Sequence, residues 1–185
     1  MSGNTITLGD LTFKELFDTE YIEKRIDNIA NQLNNKYKNE VSPIHTICVL
    51  NGAIFFFVEL IKRLKFPIII DTIQVSSYIG TESSTLSIIK DCSFPIKKNE
   101  KIILIEDIID TGKTIDELIE KFSIKTNNIK ICSLLFKENK YRIYHKNSID
   151  TNILIGEKIG DEFVVGYGMD YNELGRNLDK IYVKE

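Results

Sequence analysis

Ile102-Ile103-Leu104-Ile105-Glu106-Asp107-Ile108-Ile109-Asp110-Thr111-Gly112-Lys113-Thr114 is the stretch on which the reading of this chain turns. Lys101 to Ile105 carries four consecutive apolar residues, the pattern of a parallel strand covered on both faces. Ile115, Leu118, Ile119 and Phe122 then recur at helical spacing, so the polar residues between them form a strand-to-helix turn. Ligands of open α/β sheets bind at that end. Gly112 lets the backbone come close to a ligand. Thr111, Gly112, Lys113 and Thr114 offer successive N–H groups and hydroxyls where the helix dipole favours an anion, which describes a phosphate cradle. A P-loop is excluded, because its spacing requires a glycine where Asp107 stands. Six acids and only two lysines lie between Lys101 and Glu120, so the acids must meet something other than phosphate oxygens. Sugar hydroxyls, which donate to carboxylates, and a divalent cation both qualify, and both give Glu106 and Asp107 a task. Asp110 also suits a helix cap.

Working outward, the same alternation of strand and helix recurs. Ile22, Ile26, Ile29, Leu33 and Tyr37 mark an amphipathic helix from Thr19 to Tyr37. Thr46 to Leu50 is a short apolar run ending at Asn51-Gly52, and Ile54 to Leu64 reads as a second helix. Ile68 to Val75 and Leu86 to Lys90 form a long hairpin whose tip, Ser76 to Thr85, is too polar to bury apolar area and is expected to be mobile. Ile129 to Phe136 returns as a strand, and Ile153 to Ile159 and Phe163 to Val165 complete the sheet. The most economical architecture is an α/β domain, taken as one domain over residues 1–185 because no repeat or linker interrupts it.

Composition narrows the function classes. The 185 residues are 43% apolar and 28% charged, enough for one core that buries roughly 70% of the unfolded surface. A formal net charge of -3 argues against nucleic acid or anionic membrane as partners, so any anion must meet a local pocket. The apolar run near Ala53 to Val58 is broken by Glu59, far short of the ~18 residues of a membrane span. Met1 to Asp10 lacks a signal-peptide pattern, and Cys48, Cys92 and Cys132 are widely spaced without a Cys-x-x-Cys, so a reduced, cytoplasmic protein without structural zinc is expected.

The run Glu106-Asp107-Ile108-Ile109-Asp110-Thr111-Gly112-Lys113-Thr114 resembles the signature of the phosphoribosyltransferase family, in the form found in its hypoxanthine-guanine branch. A second block, Glu162-Phe163-Val164-Val165-Gly166-Tyr167-Gly168-Met169-Asp170-Tyr171-Asn172-Glu173-Leu174-Gly175-Arg176-Asn177-Leu178, is similar to that branch's base-binding segment. With Leu50-Asn51-Gly52 and Ser77-Tyr78, the resemblance spans most of residues 10–183. It implies a type I core with a mostly parallel sheet flanked by helices, a small hood and a mobile hairpin lid. It also implies Mg²⁺-dependent transfer of a ribosyl 5-phosphate from phosphoribosyl pyrophosphate to a 6-oxopurine, by a homo-oligomer, dimer or tetramer. Some regulatory RNA-binding nucleotide sensors resemble the same family and form the alternative reading.

Residue by residue, the resemblance implies that Glu106 and Asp107 hold the ribose hydroxyls and, with Asp170, the metal. Asp110 would act as general base for the purine N7 proton, and Thr111, Gly112, Lys113 and Thr114 would bind the 5-phosphate. Lys137 would recognise the 6-oxygen of the base, Phe163 stack on it, and Val164 and Asp170 line its edge. Asn51, Gly52 and Arg176 would face pyrophosphate, and Ser77 and Tyr78 would open the lid. Asn51 stands where the family carries lysine, often beside a non-proline cis peptide, so only the backbone role carries over. Asn139 to Asn152 is longer and more polar than the resemblance leads one to expect. His45 and His145 are isolated, and neither is assigned a role.

Overall fold

The computed structural model describes residues 4–77, 86–146 and 152–185. In chain order the elements are β1 (Thr5–Leu8), β2 (Leu11–Phe17), α1 (Thr19–Lys36), β3 (Ile44–Leu50), α2 (Ile54–Ile61), β4 (Ile68–Ser77) and β5 (Leu86–Lys90). They continue with β6 (Ile102–Ile109), α3 (Lys113–Ser123), β7 (Ile129–Lys137), α4 (Glu138–Tyr144), β8 (Ile153–Ile159), β9 (Val164–Val165) and β10 (Ile181–Lys184). The strand expected at Lys101 to Ile105 lies inside a six-stranded sheet ordered β5-β4-β3-β6-β7-β8, parallel except for the β4–β5 hairpin. Ile102, Ile103, Leu104 and Ile105 are all fully buried because both faces are covered. Ile103 and Ile105 pack with residues of α1 and α2, and Ile102 and Leu104 with Leu118 and Phe122 of α3. From β3 the chain crosses outward to β4, and from β6 it crosses the other way to β7, so the sheet's switch point lies between β3 and β6.

Several boundaries move. β6 runs four residues past Ile105, so Glu106 and Asp107 lie within the strand rather than after it; parallel pairing with β7 continues through Ile109 and Phe136. α1 begins on Asp18, whose side chain accepts from the Tyr21 N–H at 2.8 Å, and ends at Lys36, one residue before Tyr37. α2 ends at Ile61 rather than Leu64. The segment Phe163 to Val165 does not complete the main sheet: Val164 and Val165 pair with β10 in a separate four-stranded sheet, β1-β2-β10-β9. That hood joins the first and last strands of the chain around Phe13, Val165 and Tyr182. The polar stretch after Lys137 contains α4, which the sequence reading did not anticipate; residues 147–151 lie outside the described residues, as does the lid tip 78–85.

His45 belongs to the packing rather than to a metal site. Its Nε2 lies 3.2 Å from Asp71 Oδ2, both residues almost fully buried, with Glu100 Oε2 3.8 Å from Nδ1. Burial opposes ionisation of Asp71, but N–H donors from Ser93, Phe94 and Thr72 together with His45 outweigh it and bring its carboxyl down to about 2. A depressed carboxyl stabilises the fold above its unfolded pKa and loses that contribution as pH falls through the folded value. Asp71→Asn is therefore expected to cost about 2 kcal/mol at neutral pH and nothing at strongly acid pH, read as the gap between urea midpoints of the two proteins. The three thiols Cys48, Cys92 and Cys132 are free. Among the described residues no helix is long and apolar enough to cross a membrane.

Candidate active site

The carboxyl ends of β3, β6 and β7 meet at the switch point. β3 ends in a cis Leu50–Asn51 peptide, followed by Gly52. The register of β3 on β6 sets that turn beside Asp107, so closely that a Cβ on Gly52 would stand 1.8 Å from Asp107 Oδ2. On its other side the Gly52 carbonyl lies against Gly168, where a Cβ would approach Gly52 O to 1.9 Å. Gly168 has φ +104°, a conformation that glycine adopts freely. Three layers are thus stacked without side chains between them: the carboxylate of β6, the turn of β3 and the loop after β9.

Glu106 and Asp107 form a hydrogen-bonded carboxyl pair at the base of this site. Burial pushes the Glu106 carboxyl well above its usual range, and the neighbouring Asp107 adds to the rise. Asp107 is also raised, chiefly by burial, against opposing help from Glu106, its own backbone N–H, that of Ile108 and the Arg176 charge. Glu106 Oε2 is buried and has no hydrogen-bond partner among the described residues. Such a pair retains a proton that the unfolded chain has already lost, so stability falls as pH rises from the ordinary carboxylate range toward the raised value. Glu106→Gln should therefore melt higher than the parent at neutral and alkaline pH, by about 2–4 °C for each kcal/mol of repulsion relieved. The advantage should vanish in acid. Equal melting temperatures across the whole pH range would contradict it.

Asp110 sits just beyond β6, and the pairing of Ile109 with Phe136 brings Lys137, the end of β7, alongside it. Lys137 Nζ donates to Asp110 Oδ2 at 3.2 Å, and Lys140 Nζ, from α4, donates to the same oxygen at 3.1 Å. Asp110 Oδ1 is buried without a hydrogen-bond partner among the described residues. Asp110 does not cap α3. That position is taken by Gly112 at φ +89°, with no side-chain cap, so the backbone N–H groups of the first turn face the loop. Thr111 Oγ1 lies 3.5 Å from the Lys113 nitrogen. α4 packs on this loop: a Cβ on Gly112 would meet Tyr141 at 2.7 Å and His145 at 2.8 Å. His145 in turn stacks on Tyr141 and bonds Asp116 at 2.9 Å.

The hood supplies the opposite wall. Phe163 precedes β9 with its ring 44% exposed, 6.3 Å from Phe13 and edge-on to Tyr171 at 6.1 Å, while Val164 is buried. Arg176 donates to Gly168 O at 3.0 Å and pairs with Asp170 Oδ1 at 2.9 Å; Asp170 Oδ2 accepts the Glu173 N–H. Asp170 is thereby committed within its own loop. Among the described residues no three acidic, histidine or cysteine groups converge on a metal position. What remains is Glu106 and Asp107, hard oxygen donors with one orphaned buried oxygen. That set fits Mg²⁺ held through one or two carboxylates, with its other positions filled by phosphate oxygens and water. Ser77 ends β4; its side chain and Tyr78 lie outside the described residues. Sequence reasoning missed Lys140. The i,i+4 pair of Glu138 and Arg142 was a helical signal in that stretch.

Comparison with known proteins agrees with this geometry. The sequence model described as the phosphoribosyl transferase domain matches residues 12–172. A hypoxanthine-guanine phosphoribosyltransferase of Staphylococcus epidermidis is 38% identical over 175 residues, covering 91% of this chain and 93% of the relative. Its Staphylococcus aureus counterpart is 40% identical over 164 residues, 86% of this chain and 88% of that one. A crystal structure of a hypoxanthine phosphoribosyltransferase from Staphylococcus aureus superposes with a TM-score of 0.82 at 36% identity, covering 93% and 91% of the two chains. The Trypanosoma cruzi hypoxanthine phosphoribosyltransferase, in complex with the product IMP, gives 0.82 at 28% identity, covering 97% and 98%. With its mixed sheet, its hood and the Glu106-Asp107 strand, this chain belongs to the phosphoribosyltransferase family, on its hypoxanthine-guanine branch.

Proposed function

We propose that this chain salvages purines, converting hypoxanthine and guanine with phosphoribosyl pyrophosphate into IMP and GMP with release of pyrophosphate. The observation that carries the reading is the register of β6 on β7, by which Lys137 meets Asp110 directly beside the amide-rich start of α3. The names of the relatives favour the enzyme over an RNA-binding regulator of the same fold.

In the proposed reaction the ribosyl 5-phosphate lies against Thr111, Gly112, Lys113 and Thr114, where the N–H groups at the start of α3 and the helix dipole receive its dianion. Glu106 and Asp107 accept the ribose hydroxyls, and their negative potential favours the oxocarbenium character that the sugar acquires as its bond to pyrophosphate breaks. Glu106 and Asp107 would also hold Mg²⁺, which would supply positive charge for the leaving pyrophosphate. Arg176, now occupied with Asp170, and the backbone at Asn51 and Gly52 line the side where pyrophosphate departs. The base stacks on Phe163, with the backbone of Val164 at its edge and Asp170 beyond, and Lys137 donates to its 6-oxygen. Purine N9 gives its lone pair to the anomeric carbon, and the proton on N7 passes to the Asp110 carboxylate, which the two lysines hold by Oδ2. Ser77 and Tyr78 would begin a lid that excludes water from the activated sugar.

Hypoxanthine, guanine and xanthine, each offered with phosphoribosyl pyrophosphate and Mg²⁺, test the reading. IMP and GMP are expected, and no nucleotide from any base would overturn it. A single domain is the unit proposed, and a homo-oligomer its working form. The exposed row Ile54, Phe55 and Val58 on α2, next to the Asn51 turn, supports such a form. Sedimentation at a monomer mass would refute it.

A further inference from the structure

We propose that Lys140 is a positioning residue of this reaction: it holds Asp110 by Oδ2 and remains as that carboxylate's counter-ion when Lys137 turns to the 6-oxygen of the base. The inference rests on the reading of Asp110 as acceptor of the purine proton.

Two ammonium groups share one oxygen. Lys137 Nζ is 3.2 Å and Lys140 Nζ 3.1 Å from Asp110 Oδ2, and Oδ1 has no partner among the described residues. The two lysines are not equivalent. Lys137 has a buried side chain at the end of β7, 7% exposed, and Lys140 is 37% exposed and approaches from α4. Lys137 carries three N–H donors, and when one of them turns to the 6-oxygen of the base, its charge is shared between that oxygen and Asp110. Without Lys140 the carboxylate would keep only that shared cation on Oδ2. With Lys140 in place Oδ2 keeps a second donor. Because Lys140 grips Oδ2, the carboxylate keeps a second anchor as the base arrives.

α4 is built to keep Lys140 there. Tyr141 packs on Phe136 at 5.1 Å between ring centres and against Gly112, and Glu138 bonds Arg142 and Lys158. The cations that pair with Asp110 are Lys137 at the end of β7 and Lys140 on α4. Asp161, after β8, acts on Lys140, whose ammonium is held above the ordinary lysine range first by its bond to Asp110. Asp116 is engaged with His145. Lys140 is thus the second cation in direct contact with the carboxylate.

The test compares the pH profiles of kcat for hypoxanthine in the parent, Lys140→Gln, Lys140→Arg and Asp110→Asn. In Lys140→Gln the acid limb is expected to move up by about 0.2–0.7 pH unit, the worth of one solvent-screened ion pair. The KM for phosphoribosyl pyrophosphate should stay within about twofold, since only the proton step is touched. Lys140→Arg should restore the limb. A limb that vanishes in Asp110→Asn yet stays in place in Lys140→Gln overturns this proposal alone, as does a rise in KM for phosphoribosyl pyrophosphate with the limb unmoved. A limb that persists in Asp110→Asn overturns the general-base reading and this one together.

Discussion

Asp110→Asn is expected to lower kcat by about 10²–10⁴-fold, while the KM for hypoxanthine changes far less. An amide accepts a hydrogen bond but cannot take up the N7 proton, so positive charge on the purine would have no outlet as N9 bonds to the sugar. Asparagine is nearly isosteric and keeps a carbonyl oxygen for Lys137 and Lys140, so the loop before α3 should retain its shape. The loss should therefore fall on the chemical step and be largest in single-turnover measurements. Should chemistry in a single turnover proceed at the parental rate, Asp110 is no base. Should KM rise in proportion to the fall in kcat, its lysine contacts matter more than its proton.

How much of this site could be read before the fold was known depends on where each residue stands. The β6 strand and the α3 stripe were legible because burial on two faces and a 3.6-residue period leave patterns in local sequence. The end of β6 was not: Glu106 and Asp107 are charged, and only pairing with β7 keeps them in the strand. β1, β2 and β10 were missed as elements because they belong to a hood sheet that joins the two chain ends, a long-range pairing without a local signal, and β1 and β10 have only four residues each. The same holds for β9, whose two residues were assigned to the wrong sheet. α4 hid in a polar stretch whose helical pairing, Glu138 with Arg142, is visible only once a helix is assumed. Lys140 and the Gly52–Gly168 contact are products of packing. Residue type announces neither, whereas the acidic pair and the Thr-Gly turn announce themselves.

That contact is also where a single methyl group should do most damage. Gly168→Ala puts a Cβ 1.9 Å from the Gly52 carbonyl oxygen, a backbone atom in a turn already wedged against Asp107, and at φ +104° the alanine is strained even where it has room. Backbone strain of about 1–3 kcal/mol plus displacement of the turn should cost at least about 3 kcal/mol in all. For a chain of this length that corresponds to a fall in Tm of roughly 6–12 °C. Because the Gly52 turn cannot retreat without pushing on Asp107, the surviving folded protein should also lose about 10²-fold in kcat/KM for phosphoribosyl pyrophosphate, a misplacement effect on the sugar-binding carboxylate. Gly160→Ala is the matched control: its Cβ would meet first the carboxylate of the exposed Glu162, at 2.7 Å, and that flexible side chain can swing away. If Gly168→Ala melts with Gly160→Ala and keeps its kcat/KM, the three stacked layers do not hold the sugar-binding carboxylate in place, and the orientation of Asp107 must come from β6 alone.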